Sequence, residues 1–276
     1  MKRLFILTLL ALWAAPAPAL ALDPALAPEA KRLLEQGRRA QPERARLAER
    51  LGARIEPTSD GRSFVLVWTP KEPVKGWVVT LHGHGSWAFD ELALWQPHLE
   101  GRGLGLAALQ WWFGRGEAMP DYYPPEHAYR EIDQLLRRLG ASPKSALLHG
   151  FSRGAANIYG VAALDIASAN HFFGLVLANA GGAAPDFPVN RNIESGRFGS
   201  RPFASQNWIT FCGGRDENPE RDGCPAMRRA GTWVVKHGAT LLRTIEDPSA
   251  DHGGFHRQDR HVRTVLDLFQ GKRVAP

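Results

Sequence analysis

Ser152 lies in Gly150-Phe151-Ser152-Arg153-Gly154, where the apolar run of residues 145–149 hands over to a helix-like stretch. Glycines on both sides of a serine at such a junction relieve a turn too tight for side chains. The strained backbone then lifts the hydroxyl above the strand ends, and the following helix aims its N-terminal N–H groups at it. A serine hydroxyl is a weak nucleophile. It needs a base to take its proton, and the base needs an orienting group. Downstream, Gly213-Gly214-Arg215-Asp216 follows an apolar strand-like run and supplies a carboxylate. Asp251-His252-Gly253-Gly254 follows the next such run and supplies an imidazole. Rivals exist for each role. His256 stands where the last helix should open and His261 lies on it; Glu217 neighbours Asp216, and Asp186 follows the preceding strand. Asp216 ranks first because a Gly-Gly turn leads into it. Asp251 is expected to brace the turn of His252.

The elements that must position these groups begin at Ser63. Strand-like runs occur at 63–69, 77–83, 105–112, 145–150, 172–179, 207–213 and 240–247. Helical stretches separate most of them, around 90–102, 126–139, 153–165, 224–237 and 256–269. Near-continuous apolar strands alternating with amphipathic helices predict an α/β domain with a mostly parallel sheet covered on both faces. In such sheets ligands bind beyond the carboxyl ends of the strands, where Ser152, Asp216 and His252 fall. No repeat, phosphate loop or dinucleotide motif interrupts the pattern.

The chain order Ser152, Asp216, His252, with the Gly-x-Ser-x-Gly turn and the Asp-His-Gly-Gly turn at strand ends, resembles the α/β-hydrolase serine esterases over residues 63–270. The resemblance implies an acyl-enzyme route needing no cofactor. It also implies that the loop His82-Gly83-His84-Gly85-Ser86-Trp87 helps bind the oxyanion, through the backbone N–H groups of His84 and Arg153. His82 and His84 lack a third ligand at metal-binding spacing, so no metal site is expected. Alternatives from other classes are a peptidase of the same fold and a binding protein on a retired hydrolase fold.

The termini and composition set the context. Lys2 and Arg3 precede an apolar run, Leu4 to Trp13, and Ala19-Leu20-Ala21 offers small residues for cleavage. This reads as a signal peptide (1–21), too short to span a bilayer. Residues 22–62 read as a polar N-terminal helical segment and 63–276 as the main domain. Removing residues 1–21 takes two cations and no acid, so the net charge falls from +6 to +4. The basic residues are interleaved with acids rather than gathered into a stripe, which argues against a nucleic-acid partner. A mature protein exported to the periplasm or secreted, with no stable membrane insertion, is expected. In that compartment the only cysteines, Cys212 and Cys224, are expected to form a disulfide around the Asp216 loop.

Aromatic residues crowd the stretch from His82 to Tyr129. Trp87 follows the oxyanion loop, and Trp112 and Phe113 follow a strand end, so these three are candidates to line a substrate pocket. Residues 180–206 are expected to form an irregular flap over an open cleft. The open, aromatic-lined cleft of an exported enzyme resembles the feruloyl-esterase and polyhydroxyalkanoate-depolymerase branch, which implies a small-molecule or polymeric ester as the substrate.

Overall fold

The computed structural model describes residues 26–184 and 187–273. The expected signal peptide and Asp186 lie outside the described residues.

Eight strands form one sheet: β1 (Arg54–Pro57), β2 (Phe64–Trp68), β3 (Gly76–Leu81), β4 (Leu104–Leu109), β5 (Ala146–Phe151), β6 (Phe173–Asn179), β7 (Asn207–Gly213) and β8 (Thr240–Asp247). Their spatial order is β1-β2-β4-β3-β5-β6-β7-β8. The first two strands pair antiparallel, as do β2 and β4; all other neighbours are parallel. The helices are α1 (Pro28–Ala40), α2 (Pro42–Arg50), α3 (Ala88–Leu99), α4 (Pro125–Arg138), α5 (Arg153–Ala167), α6 (Pro188–Glu194), α7 (Cys224–Lys236) and α8 (Asp259–Phe269). Every residue of β2, β3 and β4 is buried. That is the signature of strands covered on both faces, and it explains why they read as unbroken apolar runs. Helices α3 and α8 pack on each other, while α5 packs on α4 and α6.

Two segments differ from the sequence reading. Residues 54–57, within the expected helical segment, form the edge strand β1, with Ile55 buried opposite Leu66. The helices before it are tied down as well: Arg44 pairs with the buried Asp90 at 2.5 Å, and Gln36 Nε2 donates to the Gly114 carbonyl at 2.5 Å. The flap at 180–206 contains α6, which is too short to show a period in sequence. It forms because Pro188 opens the first turn and Val189 and Ile193 find cover.

Candidate active site

Four strand ends build the site. Ser152 follows β5 directly and caps the N-terminus of α5 with φ 54° and ψ −117°, a conformation costly for any residue with a side chain. Its backbone N–H donates to the Asn179 carbonyl at the end of β6, at 2.9 Å, which helps hold the strained turn. The flanking glycines are steric necessities. A Cβ on Gly154 would stand 2.1 Å from the Leu81 carbonyl oxygen, and one on Gly150 would stand 2.5 Å from the Gly154 carbonyl oxygen. Helix α5 can therefore begin directly against the end of β3.

Ser152, His252 and Asp216 come together in a row. His252 Nε2 lies 2.8 Å from Ser152 Oγ, and His252 Nδ1 lies 2.7 Å from Asp216 Oδ2. A carboxylate at Nδ1 selects the tautomer with the proton there, so Nε2 is left to accept from the serine hydroxyl. The Asp216 side chain is 1% exposed and that of His252 is 34% exposed, so the acid is sheltered while the base faces the cleft. The other carboxylate oxygen, Oδ1, accepts from the Asn218 N–H at 2.8 Å.

The loops carrying acid and base are laced together by backbone. Gly214 N donates to Asp247 O at 2.8 Å and Arg215 N to Ala250 O at 2.9 Å. Cys212 and Cys224 are bonded across the acid loop, with Cα atoms 5.0 Å apart.

The rivals among the described residues are engaged elsewhere. Asp251 accepts from Gly253 N at 3.0 Å and from Arg257 Nη1 at 2.6 Å, which braces the turn of His252. Glu217 is exposed. His261 pairs with Asp247 at 2.8 Å. His256 sits in a short 3₁₀ turn before α8, in T-shaped contact with Trp95 and His149; burial pushes its pKa down to about 3. The described residues bring one metal-type group together, Asp216, Asp222 and His252. Both ring nitrogens of His252 are already engaged in the row, and Asp222 is paired with Arg221 at 2.7 Å.

The loop after β3 passes beside the serine: a Cβ on Gly83 would lie 3.3 Å from Ser152 Cβ. His82 is fully buried and desolvation holds its pKa below the ordinary value; its Nδ1 lies 2.8 Å from Gly83 O. His84 turns the other way, bonded through Nδ1 to Tyr122 Oη and lying 3.3 Å from Glu117 through Nε2. Arg153 is the first residue of α5, so its N–H is one of the first-turn amides without an intrahelical acceptor.

The three aromatic candidates separate. Trp112 is half-buried and meets the His84 ring edge-on at 5.3 Å, close to the serine loop. Trp87 is buried, 5.4 Å from Trp112. Phe113 lies under the Arg62 guanidinium, in a cavity it shares with Leu33 and Gln36 of α1. Next to Arg153, a small slot is lined by Trp111, Met119, Tyr122, Asn157 and Phe187; the sequence reading counted Trp111 and Tyr122 only within the aromatic crowd and singled out none of the five. Arg153 stacks on the Tyr122 ring at 4.4 Å. Asn157 carried a usable signal, since it lies one helical turn after Arg153 and hence on the same face of α5.

No protein-family model matches this chain, and no curated protein matches it in sequence. Solved structures do match it in shape, and they identify the architecture as the α/β-hydrolase fold. The Thermus thermophilus protein TT1662 superimposes with a TM-score of 0.60 at 21% identity, covering 80% of this chain and 99% of its own. The Francisella virulence factor BioJ gives 0.59 at 13% identity, covering 90% of this chain and 99% of its own. Est1E from Butyrivibrio proteoclasticus gives 0.55 at 11% identity, covering 80% and 99%.

Proposed function

We propose that the protein is a serine hydrolase that cleaves carboxylic esters through an acyl-enzyme. The observation that carries this reading is the Ser152 hydroxyl, held on a strained turn at one end of the row His252–Asp216. Ser152 Oγ attacks the ester carbonyl while its proton passes to His252 Nε2. The resulting imidazolium is stabilised by Asp216 across the 2.7 Å contact. The oxyanion is met by the N–H groups of Arg153 and His84, one at the start of α5 and one in the loop beside Ser152. When the C–O bond breaks, His252 returns the proton to the departing alcohol. Water then enters, gives a proton to His252 and its oxygen to the acyl carbon, and the acid leaves as Ser152 recovers its proton.

Solved neighbours described as an esterase, a carboxylesterase and an arylesterase share the fold and lend support to an ester substrate. Trp112, beside His84, is assigned to the mouth of the substrate site. Trp87 is assigned to the support behind it, while Phe113 packs toward α1. We also read the protein as exported, since the Cys212–Cys224 bond suits an oxidising compartment. A fluorophosphonate probe is the direct test: it should label the wild type at Ser152 and leave Ser152→Ala unlabelled. A folded wild-type protein that neither takes the probe nor hydrolyses any ester would overturn the assignment.

A further inference from the structure

Of the two N–H groups assigned to the oxyanion, that of Arg153 is fixed by the jammed start of α5 against β3. That of His84 has no such support. His84 stands between Gly83 and Gly85 in the loop after β3; Gly85 has φ 72°, and both His84 and Gly85 are exposed. Glycines on either side leave the backbone many conformations to choose from. The turn is closed by Ser86 N donating to Gly83 O at 3.3 Å, a long bond.

The His84 side chain, by contrast, is held from three directions. Tyr122 Oη is bonded to its Nδ1, the Glu117 carboxylate lies 3.3 Å from its Nε2, and Trp112 meets the ring edge-on at 5.3 Å. The carboxylate favours a proton on Nε2, which leaves Nδ1 to accept the Tyr122 O–H. Tyr122 is firmly placed. It is 5% exposed, forms an antiparallel bridge with Trp112, and packs 4.7 Å from the Trp111 ring. The Arg153 guanidinium lies over the Tyr122 ring at 4.4 Å. The side chains of both residues that lend an N–H to the oxyanion thus meet on Tyr122, which belongs to a third segment, the loop after β4.

We propose that the His84 imidazole is a positioning group. Clamped by Tyr122 and Glu117, it holds a glycine-flanked loop so that the His84 N–H meets the oxyanion together with the N–H of Arg153. The proposal rests on the reading of Ser152 as the nucleophile. An oxyanion donor acts on charge that develops in the transition state, so loosening the clamp should lower kcat and leave KM little changed.

The first test is Tyr122→Phe, which removes one oxygen and keeps the ring beneath Arg153. It is expected to lower kcat on an aryl ester about 10-fold, part of the roughly 10²- to 10³-fold cost of losing a donor outright. His84→Ala should lose at least as much, and the double variant little more than His84→Ala alone. His84→Asn places an acceptor near the position of Nδ1 and should recover most of the activity. An aryl trifluoromethyl ketone separates positioning from general loosening. Ser152 Oγ adds to its carbonyl carbon, the serine proton passes to His252, and the adduct carries an oxyanion. Affinity for the ketone should fall by the same factor as kcat/KM. If His84→Ala fails to fold, Tyr122→Phe and His84→Asn carry the test. Unchanged kcat in Tyr122→Phe, a loss of kcat with ketone affinity intact, losses that multiply in the double variant, or no recovery in His84→Asn overturns the proposal and leaves the esterase reading standing. A wild type that hydrolyses no ester and takes up neither the ketone nor a fluorophosphonate sinks the Ser152 reading and this inference with it.

Discussion

The Ser152 hydroxyl, the His252 ring and the Asp216 carboxylate share two hydrogen bonds, so their losses should not add. Ser152→Ala is expected to lower kcat on an aryl ester by roughly 10⁴- to 10⁶-fold with the fold intact, because the hydroxyl is not a packing group. His252→Ala should cost about as much, and the double variant little more than either alone. Asp216→Asn keeps the shape but offers an amide where a carboxylate accepted Nδ1–H, so the wrong tautomer is favoured and kcat should fall by about 10³- to 10⁴-fold. Steady-state kinetics of the three single variants and the double variant checks this. Losses that simply multiply would mean the three groups do not act as a unit. Arg153→Ala should be milder, since only its backbone N–H is assigned to the oxyanion.

At the level of elements, the site depends on backbones that touch. Gly154 lets α5 start against β3, and an added Cβ would strike the Leu81 carbonyl oxygen at 2.1 Å, where no flexible side chain can give way. Gly154→Ala should therefore destabilise the fold by about 1–3 kcal/mol or more, read by urea denaturation. It should also lower kcat, as the elbow is displaced. The Asp216 loop leans on the His252 loop in the same way, since a Cβ on Gly213 would stand 2.3 Å from the Asp251 carbonyl oxygen. The disulfide closes the other side of that loop. Replacing Cys212 and Cys224 by alanine should cost about 3 kcal/mol by chain entropy, and kcat should fall further than the stability loss alone accounts for. Unchanged kcat in the folded double variant would show that the bridge does not serve Asp216.

Across the whole molecule, a buried polar cluster ties α3, β3, β5, β6 and the turn before α8 together beneath the site. His149 lies 2.9 Å from Thr80 Oγ1 through Nδ1, 3.2 Å from Asn179 Nδ2 through Nε2, and 3.5 Å from Glu91. His256 packs on this cluster, and burial lowers its pKa from 6.5 to about 3. Unfolded, that ring takes a proton as pH falls through 6.5; folded, it resists until about pH 3, so stability is lost between those values. Burial pushes Glu91 up, but the hydrogen bond and charge of His149 outweigh it and hold Glu91 at about 2, below its ordinary 4.5. The unfolded state again binds the proton first, so this contribution is lost as pH falls from 4.5 towards 2. The melting temperature should accordingly drop steadily from pH 7 to pH 3. In His256→Phe the upper part of that drop, above pH 5, should flatten. An unchanged slope in this variant would count against the assignment of His256.

Local pattern decided much of this protein. The glycines around Ser152, the Gly-Gly turn before Asp216 and the turn carrying His252 are short-range features, because steric relief and chain reversal act over a few residues. The covered sheet was legible for a similar reason: burial on both faces leaves unbroken apolar runs. Other features were settled only by tertiary structure. Strand β1 was hidden because four residues carry too little period, and its partner β2 supplies the reason it forms. Phe113 and Trp112 are neighbours in sequence, yet Phe113 lines a cavity with α1 while Trp112 meets His84, since alternate residues of an extended segment point to opposite sides. The slot joins residues of the loop after β4 to Arg153, Asn157 and Phe187, which no periodicity connects.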